Sequence, residues 1–331
     1  MKKTTNKSVN WKPVANIDVA HRRATILKKI RAFFEKRNIL EIDTPIMSDS
    51  NVTDPNIECI SVSPLAGDDH KYHLHSSPEL NMKRLLADGF PDIYQICKVF
   101  RDNEYSSRHQ PEFTIIEWYR KNYDLTKIMN ETVEFIEMII KTSRTISDPN
   151  FLSYHEIFSQ TLGVNPLSTT TKKLAKIANE NLNLSTSLNM DRDQWLDLLM
   201  VNCIAPIIPS DRLTIIYHYP ASQAALAKIC QKNDKVADRF EVFFGSLELA
   251  NGYAELTNFK EQQRRFKSDQ LTRKSRGLTL KTPDTQYAAA MKSGLPECSG
   301  VAVGFDRLMM IDLKASNINN TQHFPLEDPS N

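Results

Sequence analysis

Glycine is scarce, with nine in 331 residues. None forms a G-x-G-x-x-G or a G-x-x-x-x-G-K-[ST], so any bound nucleotide is held by neither a Rossmann nor a P-loop cradle. Cysteine is also sparse. Cys59, Cys97, Cys203, Cys230 and Cys298 are scattered, with no C-x-x-C pair. That pattern argues against a zinc site and a secreted disulfide framework, and for reduced thiols in a cytoplasmic chain. H-E-x-x-H and EF-hand spacings are missing, as is any internal repeat. No apolar run approaches the roughly 18 residues of a membrane span. The basic start MKKTTNKSVNWKPVAN lacks the apolar core of a signal peptide and reads as a loose arm over residues 1–16. Net charge is only +2, which gives no support to a broad nucleic-acid-binding face.

What is present is a soluble, well-patterned chain with 40% apolar and 25% charged residues. Ile17, Ala20, Ala24, Leu27, Ile30 and Phe34 recur at helical spacing over residues 17–38. In YHLHSSPELNMKRLLADGF, Ser76 or Ser77 reads as a cap, Pro78 as first-turn residue and Gly89 as stop. DIYQICKVF and EFTIIEWYR read as an antiparallel pair joined by the loop 101–112. Helices are expected over 124–141, through much of 150–239, and over 259–276. Strands are expected at RLTIIYH, in RFEVFFGSLELANGYAEL and at GVAVGF, with a last helix starting at DRLMMIDL. Antiparallel pairs with helices inserted between them predict an α+β fold. We read one domain over 17–331, with a mostly helical insertion around 150–239.

The stretch FRDNEYSSRHQPEFTIIEWYR carries three arginines, a histidine and four carboxylates beside a sheet-like segment. Alternation puts Phe113, Ile115, Glu117 and Tyr119 on one face, and Thr114, Ile116, Trp118 and Arg120 on the other. Glu117 therefore sits among apolar neighbours and needs a cation, because an isolated buried carboxylate is very costly. A structural salt bridge and a receptor for a cationic ligand explain it equally well. Glu241, Glu248 and Glu255 recur every seven residues in similar strand-like sequence. With few obvious internal cations, they favour a metal or a cationic substrate, and oxygen-only donors favour magnesium. Arg101, Arg108 and His109 suit phosphate oxygens, and Phe113 suits stacking on a base. Arg307 follows Gly304 at a helix start, a potential anion site; taken alone, GFDRL reads better as an ordinary N-capping aspartate with a surface arginine.

These segments together resemble the class II aminoacyl-tRNA synthetase catalytic domain. FEKRNILEIDTPIM is similar to its motif 1, FRDNEYSSRHQPEF to motif 2 and GVAVGFDRLMMI to motif 3. SSPELNMKRLL, HQPEFTIIEWY and ELANGYAELTN are similar to the lysyl branch. The resemblance covers residue 17 to the C-terminus. It implies a homodimer through motif 1, ATP as co-substrate and Mg2+ on Glu241 and Glu248. Arg101 would hold the substrate carboxylate and α-phosphate. His109, Gln110, Asp102, Leu249 and Gly304 would lie beside ATP, with Phe113 under adenine and Arg307 over it or near the γ-phosphate. The adenine amino group would meet Asn103 or Glu104. Ser77, Pro78 and Glu79 would contact the amino end of the amino acid, and Asn251 its carboxylate. Glu117, Tyr119 and Glu255 would enclose a distal ammonium.

Two departures point within the lysyl branch. No segment precedes motif 1 that could form an anticodon-binding barrel, and Ala302 replaces the middle glycine of motif 3. Both are similar to paralogues that attach (R)-β-lysine to a lysine of translation elongation factor P, with tRNA not expected as acceptor. The expected chemistry is adenylate formation at Arg101 and Arg307, then transfer to a protein ε-amine. The Ala302 methyl is expected to disfavour α-lysine. The basic run over 260–281, with eight Lys/Arg against two Asp/Glu, reads as a solvated helix face or as a guide for an acidic partner including Arg264 and Arg265. A stand-alone lysyl-tRNA ligase, an ammonia ligase and an inactive regulatory paralogue are the alternatives. The presence of Arg101, Glu248 and Arg307 argues against the last.

Overall fold

The computed structural model describes residues 11–50, 52–63, 71–184 and 188–327. Residues 1–10 of the expected arm lie outside these. Val14 and Ala15 donate backbone N–H groups to the carbonyls of His323 and Gln322 (2.8 and 3.3 Å).

The strands are β1 (Leu40–Glu41), β2 (Met47–Ser48), β3 (Ser61–Val62), β4 (Tyr72–Leu74), β5 (Ile93–Phe100), β6 (Glu112–Lys121), β7 (Asn150–Ser153), β8 (Leu213–Tyr217), β9 (Arg239–Phe244), β10 (Leu247–Ala254) and β11 (Cys298–Gly304). The α-helices are α1 (Ile17–Glu35), α2 (Glu79–Ala87), α3 (Leu125–Ile140), α4 (Tyr154–Leu162), α5 (Thr171–Leu182), α6 (Arg192–Leu199), α7 (Phe259–Ser275), α8 (Thr285–Gly294) and α9 (Phe305–Leu313). Eight strands form one sheet in the order β1-β5-β6-β11-β10-β9-β8-β7, and β2-β4-β3 form a small one. In the large sheet only the outer pairs β1–β5 and β7–β8 are parallel. The predicted α+β class is therefore the observed one.

The alternation read from β6 sets the layers. Ile116 and Trp118 are fully buried against Phe34 of α1, Ile136 of α3 and Leu308 of α9, together with Val301 and Val303 of β11. Each such large apolar side chain contributes about 1.5–3 kcal/mol by leaving water. Arg120 ends this face and is neutralised by Glu131 and Asp92 (3.5 and 3.4 Å). The opposite face is only partly covered, by a second cluster in which Met82, Leu86, Phe266 and Tyr287 pack with Tyr119. The site lies there.

Local chemistry explains most helix ends. Asn16 and Asp124 cap α1 and α3 through their side chains. The buried stripe of α1 is Ile26, Ile30, Phe33 and Phe34, so the expected Ile30 and Phe34 are in it, whereas Ile17 is 68% exposed and Ala24 is also exposed. α2 is not capped by serine as expected. Pro78 occupies its N-cap position, and Ser77 Oγ accepts from the Glu79 N–H (3.0 Å). α8 was not anticipated, although Asp284 caps it and Gly294 ends it. Segment 150–239 carries α4, α5 and α6 with a core of their own. Residues 220–237 carry no α-helix; a 3-10 turn at Ala221–Gln223 leads into turns held by the bridges Pro220–Val236 and Ile229–Ala237.

Candidate active site

The sheet register assembles the site. Gln95, Glu117, Ala302, Asn251 and Glu241 are successive cross-strand partners from β5 to β9. Tyr119, Gly300, Tyr253 and Arg239 form the adjacent row two residues along. Both rows face away from α3 and floor a cavity of about 1030 Å³. Gly300 is required at the floor. A Cβ there would lie 2.3 Å from Tyr119 Cε1 and 2.7 Å from Glu255 Oε1.

The cavity brings together most of the expected residues. Ser77 and Glu79 line it from the start of α2; Arg101, His109, Gln110 and Phe113 from the β5–β6 hairpin. Glu117, Tyr119, Glu241, Glu248, Leu249, Asn251 and Glu255 line it from the sheet and its margin, and Ala302, Gly304 and Arg307 from the β11–α9 junction. Pro78, Asp102 and Asn103 do not line it. Asp102 and Asn103 are exposed, and Asn103 turns the loop with φ of 63°. Glu104 lines the cavity instead, 3.7 Å from Arg101 Nη1. Gln110 is buried, but its carboxamide donates to Asn319 Oδ1 (2.7 Å) and accepts from Leu326 N (3.2 Å).

One end of the cavity is acidic. Glu117 accepts from the Ser77 and Tyr119 hydroxyls (2.8 and 2.7 Å). Burial, then Glu79, pushes its carboxyl up to about 7. Burial likewise raises Glu255, against the opposing pull of Lys83. The expectation that these acids lack internal cations is overturned. Lys83 Nζ, 1% exposed, lies 2.6 Å from Glu79 and 2.5 Å from Glu255. Arg239 similarly holds Glu241 at 2.6 Å, and the Tyr219 hydroxyl donates to the same carboxylate (2.6 Å). The sequence hid Lys83 because a lysine on a short helix reads as solvated; only the placement of α2 over the sheet buries it. Lys83 matches one of these three carboxylates, and burial favours the neutral form of Glu117 and Glu255 while the cavity is empty.

The other end is cationic. Arg101 lies over the Phe113 ring (5.2 Å). Arg307 donates to the Glu248 carbonyl (2.8 Å), and its Nη2 is 2.6 Å from His109 Nε2. Burial, then Arg307, lowers His109 to about 4, so the neutral imidazole accepts from Arg307 at pH 7. Asp306 is no helix cap. It accepts from the Thr114 N–H and pairs with Arg23, both at 2.7 Å, tying α9 to β6 and α1.

The basic run is partly a solvated face, with Lys260, Arg264, Lys267 and Lys274 exposed, and partly engaged. Arg264 and Arg265 both pair with Glu261, and Arg265 donates to the carbonyls of Ala225 and Ala227. Arg273 and Lys281 bind Glu58, and Arg276 binds Asp191. These contacts lock the helix over neighbouring loops. The cysteine pattern excluded paired-cysteine sites only: Cys230 meets His218 and Asp238, their donor atoms all within 4.8 Å of one another.

A sheet of this topology, flooring a cavity with an arginine-rich end and an acidic end, defines a synthetase-type active site. The family model of class II tRNA synthetases (D, K and N) matches residues 5–328, and the chain belongs to that family. It is a ligase of that class, which uses ATP. Three curated relatives carry the name elongation factor P–(R)-β-lysine ligase. The protein from Hamiltonella defensa subsp. Acyrthosiphon pisum is 42% identical, over 97% of this chain and 99% of its own length. That from Photorhabdus laumondii is 41% identical over 97% and 99%, and that from Haemophilus ducreyi 39% over 96% and 97%. No helix among the described residues is long and apolar enough to cross a membrane.

Proposed function

We propose that this cytoplasmic ligase activates (R)-β-lysine with ATP and transfers it to a lysine ε-amine of translation elongation factor P. The observation that carries this reading is the charge of the acidic end. Glu79, Glu117 and Glu255 face one buried cation, Lys83. Ionised on binding, these carboxylates carry two negative charges beyond Lys83, which suit the two ammonium groups of a diamino acid. Neutral amino acids cannot supply them, so the pocket selects by charge.

The amino acid lies with its distal ammonium at Glu117, Tyr119 and Glu255, its nearer amine at Ser77 and Glu79, and its carboxylate toward Asn251 and Arg101. Ala302 sits between Glu117 and Asn251 in the floor. Its methyl crowds the position an α-amine would take and tolerates an amine one carbon further along. Arg101 and Arg307 neutralise the α-phosphate as the carboxylate oxygen attacks it and pyrophosphate leaves. His109 keeps Arg307 aimed. Phe113 stacks under adenine, and Glu104 accepts from its amino group. The acceptor amine, once deprotonated, attacks the acyl carbonyl and AMP departs.

Glu241 and Glu248 would offer oxygen donors to a divalent cation beside the Arg239 and Tyr219 partners that Glu241 already holds, and burial, then the Glu248 carboxylate, pushes Glu241 above its ordinary range. Mg2+ held there would supply charge neutralisation on the phosphates. The exposed apolar side chains Leu40, Ile46 and Met47 of the motif 1 segment support a homodimer through that face. The test is ATP–pyrophosphate exchange with (R)-β-lysine, α-lysine and aspartate. Exchange should be fastest with (R)-β-lysine. Exchange fastest with aspartate, or with no amino acid, would refute the reading.

A further inference from the structure

Phe259, Gln262 and Phe266 lie three and four residues apart and share one face of α7. Both phenylalanines pack in the cluster that contains Tyr119, Leu80 and Leu226, so this face closes over the acidic end of the cavity. Gln262 is 1% exposed and lines that cavity, yet neither its Nε2 nor its Oε1 has a hydrogen-bond partner. Several charged groups of the helix are paired, and Arg265 Nη2 is the one other buried side-chain atom on it left unmet among the described residues. Glu261 holds Arg264 and Arg265, Asp269 accepts from Thr53 Oγ1, and Arg273 binds Glu58. A buried carboxamide with both ends unmet is costly unless something completes it.

We propose that Gln262 is a further amino-acid-binding residue, its carboxamide hydrogen-bonding the polar groups of an ammonium-bearing amino acid from the side of the cavity opposite the sheet. The assignment deepens the proposed function and rests on it. Oε1 accepts from an ammonium and Nε2 donates to the carboxylate. A neutral amide fits this position because the acidic end already carries Glu79, Glu117 and Glu255. A fourth carboxylate there would take up a proton rather than bind more tightly.

The test is Gln262→Met in the full chain, with a side chain of similar length and no hydrogen-bonding head. Pyrophosphate exchange with (R)-β-lysine and α-lysine gives KM for the amino acid and for ATP, and thermal unfolding gives the stability of the ligand-free protein. Loss of hydrogen bonds to charged groups should raise the amino-acid KM roughly 10- to 100-fold, with the KM for ATP within about twofold. The ligand-free Tm should stay the same or rise, because an unmet buried amide has been removed. An unchanged amino-acid KM would overturn the assignment. So would a lowered Tm with both KM values raised together, which would make Gln262 a structural residue. Wild-type exchange with neither lysine would overturn the proposed function, and this assignment with it.

Discussion

Replacing Lys83 by methionine removes the one cation that the acidic end contains. Lys83 is 1% exposed, with Glu79 and Glu255 at 2.6 and 2.5 Å. Removing one partner of a buried pair typically costs about 3–5 kcal/mol, because the other charge is left uncompensated. Here the loss must depend on pH. Burial and the surrounding carboxylates already raise Glu117 to about 7 and Glu255 to about 8 from an ordinary 4.5, and losing Lys83 raises both further. A carboxyl with a raised folded-state pKa binds more protons folded than unfolded, so stability falls as pH rises above 4.5 through the folded value. The lysine itself is held well above 10.5, so its own contribution is constant across that window. Urea denaturation of Lys83→Met should therefore show a loss of about 1 kcal/mol or less near pH 5.5, and the full 3–5 kcal/mol near pH 8.5. Adding Glu255→Gln should recover part of the loss at pH 8.5. An equal loss at both pH values, or none at pH 8.5, would refute the reasoning.

Ala302→Gly should shift the kcat/KM preference toward α-lysine by about 10- to 100-fold in pyrophosphate exchange, the range one methyl group can command; an unchanged ratio would remove Ala302 from the selectivity account. Binding a diammonium substrate ionises Glu117 and Glu255, so the amino-acid KM should fall as pH rises from about 6 toward 8. Calorimetry in buffers of different ionisation enthalpy should detect proton release, and proton uptake would contradict the charge argument. Met47→Glu should convert a dimer to monomer in sedimentation velocity, and a monomeric wild type at micromolar concentration would contradict the motif 1 interface.

The sequence carried what depends on nearest neighbours along a strand. Alternation in β6 separated the cavity-lining Phe113, Ile115, Glu117 and Tyr119 from the core residues Ile116 and Trp118, because strand periodicity is local. The starts of α1 and α3 were equally legible. The cations that balance Glu255 and Glu241 were not. Lys83 lies on a helix whose position over the sheet is a tertiary fact, and Arg239 acts from a strand start that reads as solvent-facing. The 2.6 Å contact of His109 with Arg307 was not legible either, because it joins residues 198 positions apart. In the basic run the exposed face was legible, but the pairing of Arg273, Arg276 and Lys281 was not, because Glu58 and Asp191 are distant in sequence. Glu104 rather than Asn103 faces the cavity because Asn103 takes the left-handed turn conformation, a choice that two adjacent polar residues do not announce.

The central claim is that this ligase acylates a protein lysine with a diamino acid. Intact-mass measurement of elongation factor P after incubation with the enzyme, ATP, Mg2+ and (R)-β-lysine tests it most directly, with tRNA offered in parallel. The account predicts that elongation factor P gains the mass of one lysyl residue on a single lysine, and that tRNA remains unacylated. Acylated tRNA with unmodified elongation factor P would contradict it.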